Sequence, residues 1–151
     1  MLRMTKQADY GIVLLTHMAI VGEERFTASD LASGTRLPSP TVSKILKQLT
    51  REGLLVSHRG VKGGYSLARA PEKISVAEMI TALDGPIAFT ECIDDVPGVC
   101  SQESVCRLRN HWQVINDAVR GALEEISLAQ LAGPTPSSLV QLGGMGAAAF
   151  T

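Results

Sequence analysis

The sequence predicts a mainly α-helical chain with one small β-hairpin, ending in a long amphipathic helix. Three observations predict it. Residues 39–52 put Val42, Ile45, Leu46 and Leu49 at the i, i+3, i+4, i+7 spacing of one buried helix face. Residues 54–68 follow at once and read as two short strands, with Gly60, Gly63 and Gly64 in or beside the connection, where positive φ is tolerated. Leu108, Trp112, Ile115, Val119, Ala122 and Ile126 recur at steps of 4, 3, 4, 3 and 4, a heptad seam just under three heptads long.

A length of 151 residues suits one domain, or one small domain with an appendage, and is enough to bury a core without disulfides. The net charge of −1 hides an asymmetry. Residues 1–75 carry eleven Lys/Arg against six Asp/Glu, a balance of +5; residues 76–151 carry three against nine, a balance of −6. A basic front half is the part expected to meet a polyanion. The apolar stretch from Gly11 to Val21 follows Arg3 and Lys6, like the start of a signal peptide. It contains His17, lacks a small-residue cleavage site and falls short of the ~20 residues of a membrane span. It reads as a buried helix of a cytoplasmic protein with reduced thiols and no membrane partner.

Taken in order, Thr5 is an N-cap for a helix over 6–22 whose apolar residues occupy more than one face, as a helix meeting a second subunit would. Thr27 or Ser29 caps a second, short helix, and Leu37-Pro38 turns the chain. Ser39 at the N-cap and Pro40 at the first helical position open the third helix, which Gly53 ends. Thr41, Ser43, Lys44, Lys47, Gln48 and Arg51 cover its polar face. After the hairpin, Ser75 and Glu78 fit a capping box for a helix over 75–84, stopped by Gly85-Pro86. A long helix is expected from just past Cys106 to about Ser127, with Cys106 in its first turn. From Gly133 the chain is rich in Pro, Ser, Gly and Ala without a period, and residues 133–151 read as a disordered tail.

Helix, short turn, helix with a basic face is the arrangement of a DNA-reading helix–turn–helix. A basic face alone is more often only solvated, but a hairpin placed directly behind it is the wing of a winged helix. Its tip carries Arg59 and Lys62, which suit phosphate or minor-groove contact. The expected DNA-binding set is therefore Ser39, Thr41, Ser43, Lys44, Lys47, Arg51, Arg59 and Lys62. No nucleophile motif or phosphate loop is recognisable, so an enzyme is not expected.

All three cysteines, Cys92, Cys100 and Cys106, fall within residues 91–107, spaced C-x7-C-x5-C in an acidic segment. Three is odd, which excludes a complete disulfide framework, and the spacing is too wide for a C-x-x-C redox pair. Clustered thiolates select zinc, copper(I) or iron–sulfur groups. The plain alternative is small buried residues plus one disulfide.

The opening Leu2-Arg-Met-Thr-Lys6, the helix at 39–52, the wing Arg59-Gly-Val-Lys-Gly-Gly-Tyr-Ser-Leu67, the segment Ile74-Ser-Val-Ala-Glu-Met-Ile80, the three-cysteine segment and Leu128-Ala-Gln-Leu131 carry a family likeness. Over residues 1–132 the chain resembles the dimeric bacterial winged-helix regulators that include IscR, NsrR and the regulators of SUF iron–sulfur assembly operons. The resemblance implies a homodimer binding a double-stranded DNA operator, with an iron–sulfur cluster (2Fe-2S or 4Fe-4S) on each subunit. It also implies three cysteine ligands and one other. IscR-like members use a His three residues past the last cysteine, where this chain has Arg109, which does not ligate a cation. NsrR-like members use an acid early in the first helix of the partner subunit, and Asp9 matches that place; His111 and Glu103 are the fallbacks.

The expected organisation is a winged helix–turn–helix over 1–75, a cysteine loop and long dimerisation helix over 76–132, and the tail. The expected function is a repressor of iron–sulfur assembly genes that senses through its cluster. The rivals are a nitric-oxide or redox-responsive repressor of the same fold and a zinc-stabilised DNA-binding or structural protein.

Overall fold

The computed structural model describes residues 4–90, 93 and 105–134. In chain order these form α1 (Lys6–Val21), α2 (Ala28–Thr35), α3 (Ser39–Arg51), β1 (Leu55–His58), β2 (Gly64–Leu67), a 3-10 turn (Pro71–Lys73), α4 (Val76–Asp84), α5 (Arg109–Glu124) and α6 (Leu128–Ala132). The mainly α architecture with a two-stranded hairpin is as the sequence predicts.

Helix α1 is the centre of the packing, in contact with α2, α3, α4 and α6. Its inner face is Ala8, Gly11, Leu14, Leu15 and Met18, and Val13, Ile20 and Val21 stay exposed on the other side. Leu31 of α2, Ile45, Leu46 and Leu49 of α3, Leu54 and Leu55 at the hairpin, Ile74, Met79 of α4 and Leu128 of α6 close the core. Burying each of these Leu or Ile side chains is worth about 1.5–3 kcal/mol. Gly11 lets α1 and α4 approach closely, because a Cβ there would stand 2.5 Å from Leu83 Cδ1.

The helix ends follow capping chemistry. Thr5 caps α1, its hydroxyl accepting the Ala8 N–H at 3.1 Å. Thr27 with Asp30 and Ser75 with Glu78 form capping boxes on α2 and α4. Two expected starts are corrected. Ser39 is the first helical residue of α3, not its cap; Pro38 is the cap, extended at φ −60° and ψ 128°, and its carbonyl accepts the Val42 N–H at 3.0 Å. Pro38 holds the entry at its fixed φ, and Pro40 at the second helical position removes one of the first-turn N–H donors that a side-chain cap would serve.

The second correction concerns α5. It begins at Arg109 rather than just past Cys106, with Leu108 as an N-cap that makes no side-chain hydrogen bond. Cys106 lies in the turn before it, its carbonyl accepting the Arg109 N–H at 3.5 Å, so its thiol does not sit in the first helical turn. At the other end α5 stops at Glu124, because Ser127 caps α6 in a box with Gln130. Ile126 thus lies beyond the helix. Its carbonyl accepts the Val76 N–H at 2.8 Å, and the Leu128 N–H donates to Ile74, also at 2.8 Å, tying the end of α5 back to the start of α4.

Of the expected tail, only Gly133 and Pro134 are described. Among the described residues no helix is long and apolar enough to cross a membrane.

Candidate nucleic-acid interface and sensor residues

Helix α3 divides into two stripes. Val42, Ile45, Leu46 and Leu49 are buried. Pro40, Ser43, Lys44, Lys47, Gln48 and Arg51, at i, i+3, i+4, i+7, i+8 and i+11, line an open face on the other side. Ser39, Lys44, Lys47 and Arg51 are exposed, and Thr41 and Ser43 half-buried. Arg51 pairs with the neighbouring Glu52 at 3.1 Å, an exposed contact that costs little to break.

Gln48 departs from the expected solvated face. Its Nε2 donates to the carbonyls of Ala82 and Leu83, each at 2.9 Å, and its Oε1 accepts from Gln7 Nε2. No spacing within α3 signals this, since the acceptors lie 34 and 35 residues away in sequence.

The wing pairs antiparallel, Leu55 opposite Leu67 through His58 opposite Gly64, and His58 Nε2 meets Ser66 Oγ across it at 2.8 Å. Phe26 adds a bridge on the outer side, donating to Tyr65 at 2.9 Å and accepting from it at 2.7 Å. Gly64, at φ +145°, makes that approach possible; a Cβ there would stand 2.5 Å from the Phe26 carbonyl oxygen. Arg59 and Lys62 are exposed at the tip, as expected. Arg25, absent from the expected set, donates from Nη1 to the Lys62 carbonyl at 3.0 Å. The charge of Arg25 in the basic front half is visible in the sequence, but its backbone acceptor is not.

Of the expected sensor residues, Cys92, Cys100 and the fallback Glu103 lie outside the described residues. Cys106 is a free, half-buried thiol. Asp9 is exposed in the first turn of α1; its N–H donates to the Thr5 carbonyl at 3.1 Å, and among the described residues its carboxylate makes no hydrogen bond or ion pair. His111 is exposed in the first turn of α5. The described residues gather no group of three or more His, Cys, Asp or Glu side chains that could hold a metal ion.

A family model described as Rrf2, iron-dependent transcriptional regulator, matches residues 4–134. A Mycobacterium tuberculosis protein named as an HTH-type transcriptional regulator is 32% identical over 145 residues, 93% of this chain and 88% of its own. The HTH-type transcriptional repressor NsrR of Streptomyces coelicolor is 28% identical over 144 residues, 93% of this chain and 96% of its own. Among solved structures, the global cysteine regulator CymR of B. subtilis aligns with a TM-score of 0.68 at 28% identity, over 87% of this chain and 97% of that one. T. potens IscR aligns with a TM-score of 0.64 at 25% identity, over 86% and 85%. These are named as regulators rather than enzymes, and α3 followed by the two-stranded hairpin is the winged-helix arrangement of the solved regulators. The chain belongs to the Rrf2 family of transcriptional regulators.

Proposed function

We propose that this protein is a homodimeric repressor that senses through an iron–sulfur cluster and controls iron–sulfur assembly genes. The single observation that carries the sensing part is the confinement of all three cysteines to residues 91–107, within a family described as iron-dependent. Cys92, Cys100 and Cys106 would hold the cluster, with Asp9 of the partner subunit as the fourth ligand.

The residues present fit such a group. Thiolates are soft donors suited to iron–sulfur ligation. Among the described residues Cys106 is free and the exposed Asp9 carboxylate has no partner, which suits a ligand offered to a second chain. The exposed apolar residues of one chain favour a dimer: Leu108 (57% exposed) and Ile115 (43%) on the expected seam, and Val13 and Ile20 on the outer face of α1. When bound, the cluster supplies a redox- and ligand-reactive centre. The chain supplies the DNA face, the dimer contact and one ligand per subunit from α1.

Anaerobic purification with iron and sulfide counting tests the reading. Iron and acid-labile sulfide in equal amounts, with visible absorption that Cys106→Ala bleaches and Asp9→Ala weakens, is the expected result. A colourless protein carrying zinc would replace this reading by the structural-metal one. A normal spectrum in Asp9→Ala together with its loss in His111→Ala would move the fourth ligand to His111.

A further inference from the structure

The Gln48 amide joins three helices. Its Nε2 meets two carbonyls, Ala82 and Leu83, both at 2.9 Å. The opposite amide orientation would set oxygen against both, so the donor assignment follows from the network. Ala82 and Leu83 belong to the last turn of α4, whose carbonyls have no acceptor role within their own helix. A side chain of the DNA-reading helix therefore caps α4. The amide oxygen of Gln48 takes Gln7 Nε2 from the first turn of α1, so the donors and the acceptor of one half-buried side chain are all engaged.

The same two helix ends are stitched a second time. Asp84, the last residue of α4, accepts the Thr5 N–H at 3.2 Å and the Thr5 hydroxyl. Thr5 is the N-cap of α1, where a carboxylate also complements the helix dipole. The start of α1 and the end of α4 thus form one unit, and Gln48 is the side chain of α3 that joins it. Asp9 lies two residues beyond Gln7, and Cys92 follows Asp84 by eight positions in sequence.

We infer that Gln48 is a positioning residue: it sets α3 against the joined ends of α1 and α4, and so passes the state of the segments leaving those ends to the DNA-reading face. Its role in transmitting the signal rests on the cluster reading above; its role in setting α3 does not. The alternative, a purely local cap of α4, stabilises the fold without touching operator preference.

The test uses the full chain, purified anaerobically, as wild type and as Gln48→Met, which keeps length and volume but removes both donors and the acceptor. Binding is measured to an operator duplex and to a non-operator duplex, each with cluster-loaded and cluster-stripped protein. The expected result is a loss of about tenfold in operator preference, within the usual range of coupling between sites, and a loaded-to-stripped ratio that moves toward one. Helicity and non-operator binding at low salt stay at wild-type values. Wild-type operator preference in Gln48→Met overturns the inference. If wild type itself shows no difference between loaded and stripped forms, the cluster reading falls. Operator preference of the stripped Gln48→Met protein still decides the positioning role, its loss sustaining it and its retention overturning it. Should Gln48→Met fail to fold, Gln7→Ala cuts only the α1 arm. Reduced operator preference is expected there, and unchanged preference overturns the inference.

Discussion

The Arg25 guanidinium donates to the Lys62 carbonyl at 3.0 Å, across 37 residues of sequence. Together with the Phe26–Tyr65 bridge beside it, this contact holds the wing tip by its backbone and leaves the Lys62 and Arg59 side chains outward. Arg25→Ala should leave stability nearly unchanged, because the site is exposed. It should weaken duplex binding about fivefold, the equivalent of roughly 1 kcal/mol for one hydrogen bond. In binding isotherms, Lys62→Ala should then cost less in the Arg25→Ala background than in wild type. Strict additivity would show that Arg25 meets the duplex by itself.

The exposed face of α3 makes a second expectation. With about three phosphates neutralised per subunit, a dimer should show a slope of log K against log salt of roughly −5. Lys44→Ala and Lys47→Ala should weaken binding to every sequence and flatten that slope. Ser39→Ala or Thr41→Ala, at the start of the helix, should instead relax sequence preference. Salt-independent binding would contradict phosphate contact by this face.

Ile115 offers a clean probe of association because it is 43% exposed in the single chain. An Asp there costs an isolated chain little. Covered by a partner, the unpaired charge costs several kcal/mol. Sedimentation of Ile115→Asp should therefore give a folded monomer, whereas a dimer of unchanged size would remove α5 from the interface.

Asp30 links stability to acid. Hydrogen bonds from the Thr27 hydroxyl and backbone hold its carboxyl below the ordinary value of 3.8. A depressed folded value means that the unfolded chain takes up this proton first as pH falls. The contribution is complete above about pH 3.8 and is lost as pH drops through the folded value. Thermal melts of Asp30→Asn should thus differ most from wild type near neutral pH and converge in strong acid. A constant difference across the range would show that the charge does not matter.

Much of this fold is legible because its signals are local. Thr27, one of the two expected caps of α2, Ser75 with Glu78 and the stripe Val42, Ile45, Leu46, Leu49 are signals that each span eight residues or fewer. The glycines at 60, 63 and 64 mark the hairpin by backbone geometry alone. What stayed hidden depends on distant partners. Gln48 reads as one more polar residue beside Lys44, Lys47 and Arg51, because an amide serves water or carbonyls equally well. Arg25 reads as a surface cation, and Phe26 gives no sign that Tyr65 will bridge to it. The misplaced start of α5 has a different cause: the heptad seam extends through Leu108, but periodicity does not mark where a helix without a capping side chain begins. Of the candidate site, the exposed basic face of α3 and the hairpin behind it were legible as a pattern. The cysteine set was legible as chemistry, with only Cys106 inside the described residues.

The central claim is that the cysteine set governs operator binding. The most direct measurement is the operator dissociation constant of anaerobically purified wild type at one fixed salt concentration, before and after chelation strips the cluster, beside Cys106→Ala treated identically. The account predicts that the two wild-type values differ by about tenfold. Cys106→Ala should match stripped wild type throughout, with the dimer intact. Equal operator affinity in all of these samples, with cysteine variants regulating as wild type does, would contradict it.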